Sequence, residues 1–361
     1  MKKFIILVLS IFFLCSCSPA VNSKASTTTL KQAYLAGPGA MAPLLSGYWK
    51  NGVWISLSSL DSTKSSSVNS ITVSGSDVYA AGYSTNSSNL AVAGYWKNST
   101  WVALPSIDAA KNAEVTSLKI SGTDVYAAGS SANSSDVAIA GYWKNGTWVG
   151  LPSLDVAYSS NAKSIAISGN NVYVAGTSTN SAQVLIPGYW INGVWVGLST
   201  LDANSDSYAW NMIINNTDVY IVGYSFNSVI NVAGYWKNGT WVELPPLDVS
   251  RGASAASIAI TGSDVYVTGI NTNSSGVNVA GYWKNGVWID LPALDPAKES
   301  QTLSITISGS DVYIGGISTD SSNTAITGYW LLEKWCLDRS WYKLRWKFYI
   351  CKLKLIGKDW V

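Results

Sequence analysis

The side chains able to do chemistry in this 361-residue chain are few in kind and recur at fixed places. There is no histidine. That removes the commonest general base, the usual zinc ligand and the partner that activates a serine or cysteine nucleophile. The four cysteines are Cys15, Cys17, Cys336 and Cys351, so the long middle of the chain holds no disulfide and no thiolate metal site. Carboxylates recur in two series. Asp77, Asp124, Asp218, Asp264 and Asp311 follow Ser-Gly-x or a similar turn, with Asn171 at the equivalent place. One acid per turn does not supply the convergent oxygens of a calcium site, and bonding to nearby backbone N–H groups is the expected role. Asp61, Asp108, Asp155, Asp202, Asp248 and Asp295 each follow Leu or Ile. They form either an acidic ring at one end of the molecule or a set of local caps, and their regularity favours caps. Lys50, Lys97, Lys144, Lys237 and Lys284 recur at the other end as an expected solvated rim. No metal and no cofactor is expected.

These residues are positioned by a repeat. Gly-Tyr-Trp begins at Gly47, Gly94, Gly141, Gly188, Gly234, Gly281 and Gly328, a period of 47 residues with one interval of 46. In six copies Asn stands two residues after the Trp, and a second Trp closes the unit: Trp54, Trp101, Trp148, Trp195, Trp241 and Trp288. Asn-Gly between aromatic and β-branched runs predicts a type I′ hairpin. With Asn238-Gly239 as the turn, Lys237 faces Thr240, Trp236 faces Trp241 and Tyr235 faces Val242. These aromatics are either a ring of sugar platforms or packing between repeats, and their presence in every repeat favours packing.

A full repeat holds four short strands. In one copy they are Ser257–Ile260, Val265–Gly269, Val279–Trp283 and Trp288–Leu291, separated by Gly, Asn and Pro punctuation. Four strands per repeat is the pattern of a β-propeller. Val-Tyr-x-x-Gly, then a Tyr and a Trp spaced six apart, then Leu-Pro-x-Leu, resembles the Kelch repeat over residues 31–330. Only Val312-Tyr313-Ile314-Gly315-Gly316 keeps the Kelch double glycine, and the Arg usual between Kelch blades is absent. The resemblance is therefore to a bacterial, Kelch-like propeller rather than the eukaryotic adaptor group. The expected fold is all-β, one seven-bladed propeller over 31–335, with six blades and residues 31–60 as an edge the alternative. The first repeat lacks a first strand, so a C-terminal segment is expected to supply it.

The two ends differ from this body. Residues 1–16 carry Lys2-Lys3 and an apolar run from Phe4 to Leu14, too short to span a bilayer comfortably. Leu14-Cys15-Ser16-Cys17 resembles the lipoprotein signal-peptidase box, which implies cleavage before Cys17, a diacylglycerol on its thiol and a membrane anchor. Ser18 after the acceptor implies the outer membrane or cell surface. Residues 17–30, rich in Ser, Thr and Ala, form an expected flexible tether. The body from 44 to 330 holds 11 basic and 18 acidic residues, which does not suggest a nucleic-acid partner.

After Trp330 the repeat stops, and residues 336–361 form an aberrant tail. With A/T-rich codons, Leu331 to Ser340 read one base later spell Tyr-Trp-Lys-Asn-Gly-Val-Trp-Ile-Asp-Leu, the expected repeat. The same frame permits Gly-Ile-Asn-Ser-Ala-Gly-Asn-Ser-Ile-Ser-Val over Trp341 to Cys351, an ending that resembles Asn69-Ser70-Ile71-Thr72-Val73. Duplication of the bases TTATTGG after Trp330 would produce the shift, so the tail is expected to be out of frame. In this frame, the alternating Cys351–Leu355 segment would be a weaker substitute for the missing strand.

Function has to be read from where the repeats differ. The connections from second to third and from fourth to first strand diverge and share one face, as in Tyr224-Ser225-Phe226-Asn227 against Thr177-Ser178-Thr179-Asn180. Loops carry function more often than scaffold does. The expectation is a non-catalytic binding or scaffold module for an unknown protein or glycan ligand, with Tyr158, Tyr208, Trp210 and Phe226 as candidate ligand-binding residues. The competing reading is a propeller hydrolase or lyase acting on envelope glycans. It would need acids, Arg or Tyr unique to a few blades, and the body has a single Arg, Arg251.

Overall fold

The computed structural model describes residues 34–38, 46–50, 53–309, 311–337 and 341–350. Every described element is a β-strand. The first three, β1 (Tyr34–Pro38), β2 (Ser46–Lys50) and β3 (Val53–Ser56), make a three-stranded sheet in sequence order. Six four-stranded antiparallel sheets follow, over 66–103, 113–150, 160–197, 207–243, 253–290 and 300–350. We call them blades one to six. The first strand of each blade lies against the first strand of the next, so these strands form the inner wall of a β-propeller.

The predicted hairpin is present residue for residue. Lys237 pairs with Thr240, Trp236 with Trp241 and Tyr235 with Val242. Asn238 and Gly239 both have positive φ, 51° and 84°, as a type I′ turn requires. Trp96, Trp143, Trp190, Trp236, Trp283 and Trp330 are fully buried. Each donates its Nε1–H to a backbone carbonyl in the connection entering its own blade, from Ser58, Pro105, Pro152, Ser199, Pro245 and Pro292, at 2.7–2.9 Å. The ring thus packs the blade and ties it to the preceding one. In blades one to five the second Trp packs on the first with ring centroids 4.4–4.6 Å apart. These tryptophans are packing residues, as their regularity suggested. Each hydrophobic cluster straddles a blade boundary: Tyr220, Val222 and Leu244 from the blade-four side meet Ile258, Val267 and Trp283 of blade five.

Two glycines per repeat make this packing possible. A Cβ on Gly234 would lie 2.3 Å from Trp241 Cζ2, so that glycine makes room for the outer Trp. A Cβ on Gly223 would lie 1.7 Å from the backbone oxygen of Tyr208. That contact arises at a β-bulge on the inner strand. The register steps from Ala209↔Gly223 to Asn211↔Val222 and leaves Trp210 unpaired. The same bulge recurs in all six blades.

The described residues form six complete blades, so the seven-blade expectation is corrected to its six-blade alternative. Length and tail chemistry explain it. Nothing upstream of β1 matches an inner strand, and the tail has lost the Lys-Asn-Gly that turns the hairpin. Strand three of blade six therefore runs on to Leu337, and Trp341–Ile350 pairs back along its outer edge, with Phe348 opposite Trp330. The described tail does not supply the first sheet with an inner strand. The expected signal segment, the tether, Cys17 and Cys351–Leu355 lie outside the described residues.

Candidate functional site

The two ends of each blade have different chemistry. At the end with the tight turns, Asp77, Asp124, Asp218 and Asp264 accept from the side-chain amides of Asn98, Asn145, Asn238 and Asn285 at 2.8 Å. They also pair with Lys97, Lys144, Lys237 and Lys284 at 3.0–3.3 Å. The same lysines sit 5.1–5.4 Å from the ring centroids of Tyr79, Tyr126, Tyr220 and Tyr266. The turn aspartates therefore bond the neighbouring hairpin rather than their own turn, and the rim lysines are paired rather than freely solvated. The Asn amide holds Asp218 below the usual carboxylate range, with the Lys237 ammonium second. The Asn Oδ1 in turn accepts from the strand-two backbone, as Asn238 does from Val219 N at 2.8 Å.

At the opposite end, the second aspartate series caps locally. Asp61, Asp108, Asp155, Asp202, Asp248 and Asp295 accept from the backbone N–H two residues on, at 2.9 Å. The connections between second and third strands also prove tight. Asn86, Asn133, Asn180 and Asn273 each accept from backbone N–H groups two and four residues on. Asp320 does the same in blade six. Variation was expected to sit in these loops. It persists in the fourth-to-first connections, as in Val156-Ala157-Tyr158-Ser159 against Ala203-Asn204-Ser205-Asp206, and extends onto the inner wall.

The bulge position holds Asn69, Thr116, Lys163, Trp210, Ala256 and Leu303, no two alike. Asn69 and Thr116 donate to the next blade's inner-strand carbonyls, Val115 O at 2.8 Å and Ala162 O at 2.9 Å. Blades three and four break that pattern. The Tyr208 and Trp210 rings stack with centroids 5.3 Å apart and planes 13° apart, and Tyr208 meets Tyr224 at 5.0 Å. Lys163 Nζ stands 5.7 Å from the Trp210 centroid. Burial raises the Tyr224 phenol pKa, helped by Tyr208 and Asp206, and burial followed by Asp206 raises that of Tyr208. Burial lowers the Lys163 ammonium pKa, and Glu114 only partly opposes it.

Of the sequence candidates, Tyr208 and Trp210 are brought together, on the inner strand Ser207–Asn215 rather than on a loop. Phe226 ends the strand Asp218–Phe226 on the same face as Tyr224. Tyr158 lies apart, half-buried in the connection entering blade three. Tyr224 and Lys163 were missed, although both lay in the segments whose divergence was noticed. Column-by-column comparison of inner strands finds Lys163 once the bulge is known, and Tyr224 follows from the register that sets it opposite Tyr208.

Farther along the same wall, a hollow of about 250 Å³ is lined by Lys119, Ala166, Ile167, Met212, Ile213 and Ile214, among others. Lys119 keeps solvent access, while the surrounding protein lowers its pKa. Among the described residues, no group of three or more His, Cys, Asp or Glu could hold a metal ion.

No family model and no curated protein matches the chain. A solved structure of YCF48 bound to a D1 peptide is similar in fold, with a TM-score of 0.47 and 13% identity, covering 79% of this chain and 85% of that one.

Proposed function

We propose that the protein is a non-catalytic binding module of a bacterial cell envelope, a Kelch-like propeller held to the membrane by lipid on Cys17. Its contact surface is the inner wall and rim at the end carrying the Tyr208–Trp210–Tyr224 cluster. One observation carries this reading: the aromatic stack with Lys163 lies in blades three and four, at an end whose aspartate caps repeat in every blade. A position freed from the packing that fixes its equivalents is where selection for a ligand can act. The inner strands carry one carboxylate, Glu114, and two lysines, Lys119 and Lys163, beside the Tyr208 phenol, which favours recognition of a protein or glycan over acid–base hydrolysis by a carboxylate pair.

The test is a glycan array and a pull-down from envelope extract with the Cys17→Ser chain, repeated with Tyr208→Ala and Trp210→Ala. Binding lost in both variants supports the reading. Binding kept in both moves the contact surface elsewhere. The anchor is tested separately: Cys17→Ser is expected to release the protein from membranes and abolish palmitate labelling.

A further inference from the structure

At four boundaries between blades the inner wall is stitched by a serine. Ser70 Oγ accepts from Leu118 N at 3.0 Å, Ser117 from Ile165 N at 3.3 Å, Ser164 from Met212 N at 3.2 Å and Ser257 from Ile305 N at 3.4 Å. An inner strand presents one row of backbone N–H groups to the axis, and an unpaired row is an association hazard. The serine of the preceding blade satisfies one of those groups. Blade five is preceded by Asn211 instead of serine. Blade one differs for another reason. The sheet before it has three strands, and β1 occupies the place of a second strand: it pairs with β2 through Gly37↔Gly47, as Gly82 pairs with Gly94. It packs on the inner strand of blade one as each second strand packs on the next blade's inner strand. Among the described residues nothing pairs with the other edge of β1. Among the described residues no serine faces the backbone N–H of Ile71, equivalent to those of Leu118, Ile165 and Met212.

We propose that the edge of β1 left unpaired among the described residues is a strand-docking site, and that its occupant is the segment Ser-Ala-Gly-Asn-Ser-Ile-Ser-Val, which a choice of codons for Leu344 to Cys351 allows one base out of register. This rests on the fold and not on the function proposed above. Ladder hydrogen bonds to β1 supply affinity, and the alternating side chains supply the register. Aligned with Asn69-Ser70-Ile71-Thr72-Val73, the segment places Asn at the bulge. Its next Ser meets the Ile71 N–H, and its Ile and Val enter the boundary where Tyr48, Leu57, Val68 and Ile71 are buried. A small residue precedes the bulge, where the other blades have Val, Ala or Thr.

The experiment titrates this octapeptide, fluorescently labelled, into the full-length protein in detergent. The control peptide is Ser-Ala-Gly-Asn-Ile-Ser-Val-Ser, whose one-residue slip turns the apolar side chains to the wrong face. The expected result is saturable binding, at least about tenfold weaker for the slipped peptide, a difference of about 1.4 kcal/mol. Slowed hydrogen exchange at the Ile71 amide should accompany binding. Replacing the Ser that meets Ile71 by Ala should weaken binding and remove that protection. No saturable binding up to about 1 mM overturns the proposal, as does equal binding of the slipped peptide. So does binding that leaves Ile71 exchange unchanged, or a dimer through β1 that the peptide does not dissociate.

Discussion

Trp96, Trp143, Trp190, Trp236, Trp283 and Trp330 occupy the same buried site in six blades, each with the same bond to the incoming connection. A few strands inward, the bulge position is Asn, Thr, Lys, Trp, Ala and Leu in turn. The outer site is enclosed by two blades and a connecting segment, so volume and hydrogen bonding dictate the residue. The bulge residue is unpaired in the ladder and only partly buried, so the fold dictates it less, although Asn69 and Thr116 use it to bond the next blade. Uniformity across repeats marks where packing selects, and variation marks where something else can.

The largest effect should come from the uniform side. Trp236→Ala removes a fully buried indole that touches two blades and orphans the Ser199 carbonyl. Aromatic-to-alanine changes in a core cost about 3–5 kcal/mol, and chemical denaturation should show a loss of that size. A loss below about 1 kcal/mol would mean that Trp236 is not what holds adjacent blades together.

Gly223→Ala tests the hinge between the two regions. Its Cβ would meet the Tyr208 carbonyl inside van der Waals contact, so the bulge must shift. Overpacking of this kind costs about 1–3 kcal/mol. Because the bulge aims Trp210, the near-UV circular dichroism of the Tyr208–Trp210 stack should change as well. A stability loss with an unchanged aromatic signal would separate the bulge from the aromatic cluster.

The turn chemistry explains what was legible in the sequence and what was not. Asn238-Gly239 specifies its own φ values, so the hairpin and its three cross-strand pairs follow from local residues alone. Asp202 next to Ser205 likewise specifies a local cap. Asp218 could not be assigned this way, because its partners Asn238 and Lys237 come from another hairpin of the blade. The number of complete blades depended on where the tail pairs, a non-local choice between two sheet edges. The bulge was hidden because it depends on Gly223 yielding space to a strand some 15 residues upstream, and without it Trp210 looked like a loop residue.

Ser164→Ala probes the stitching of inner strands on the axial side of the same blades. It leaves the buried Met212 N–H without its acceptor, and a lost bond of this kind costs about 1 kcal/mol. Ser164→Thr, which keeps an acceptor oxygen, should recover part of the loss in the same denaturation assay.

The smallest effect is expected on the variable side, at Lys163, where the sign is informative. Burial lowers its ammonium pKa below the ordinary 10.5, with Glu114 offsetting part of that shift. Below the folded pKa the protein holds this charge in a poorly solvated place, which opposes folding. Between the folded pKa and 10.5 the unfolded chain binds a proton that the folded chain has released, so stability contributed by this group rises with pH across that window. Lys163→Met removes the titration together with the cation–π contact to Trp210, worth about 0.5–1 kcal/mol and only while the ammonium is charged. The stability of the variant relative to the parent should therefore be highest near neutrality and fall as pH climbs towards 10.5. The paired lysines Lys97, Lys144, Lys237 and Lys284, whose pKa values are raised, contribute equally to both proteins and cancel in the difference. Urea denaturation at a series of pH values measures it. A difference that stays flat with pH would show that water reaches Lys163 freely, and the inner wall would then be a solvated surface rather than a partly enclosed one.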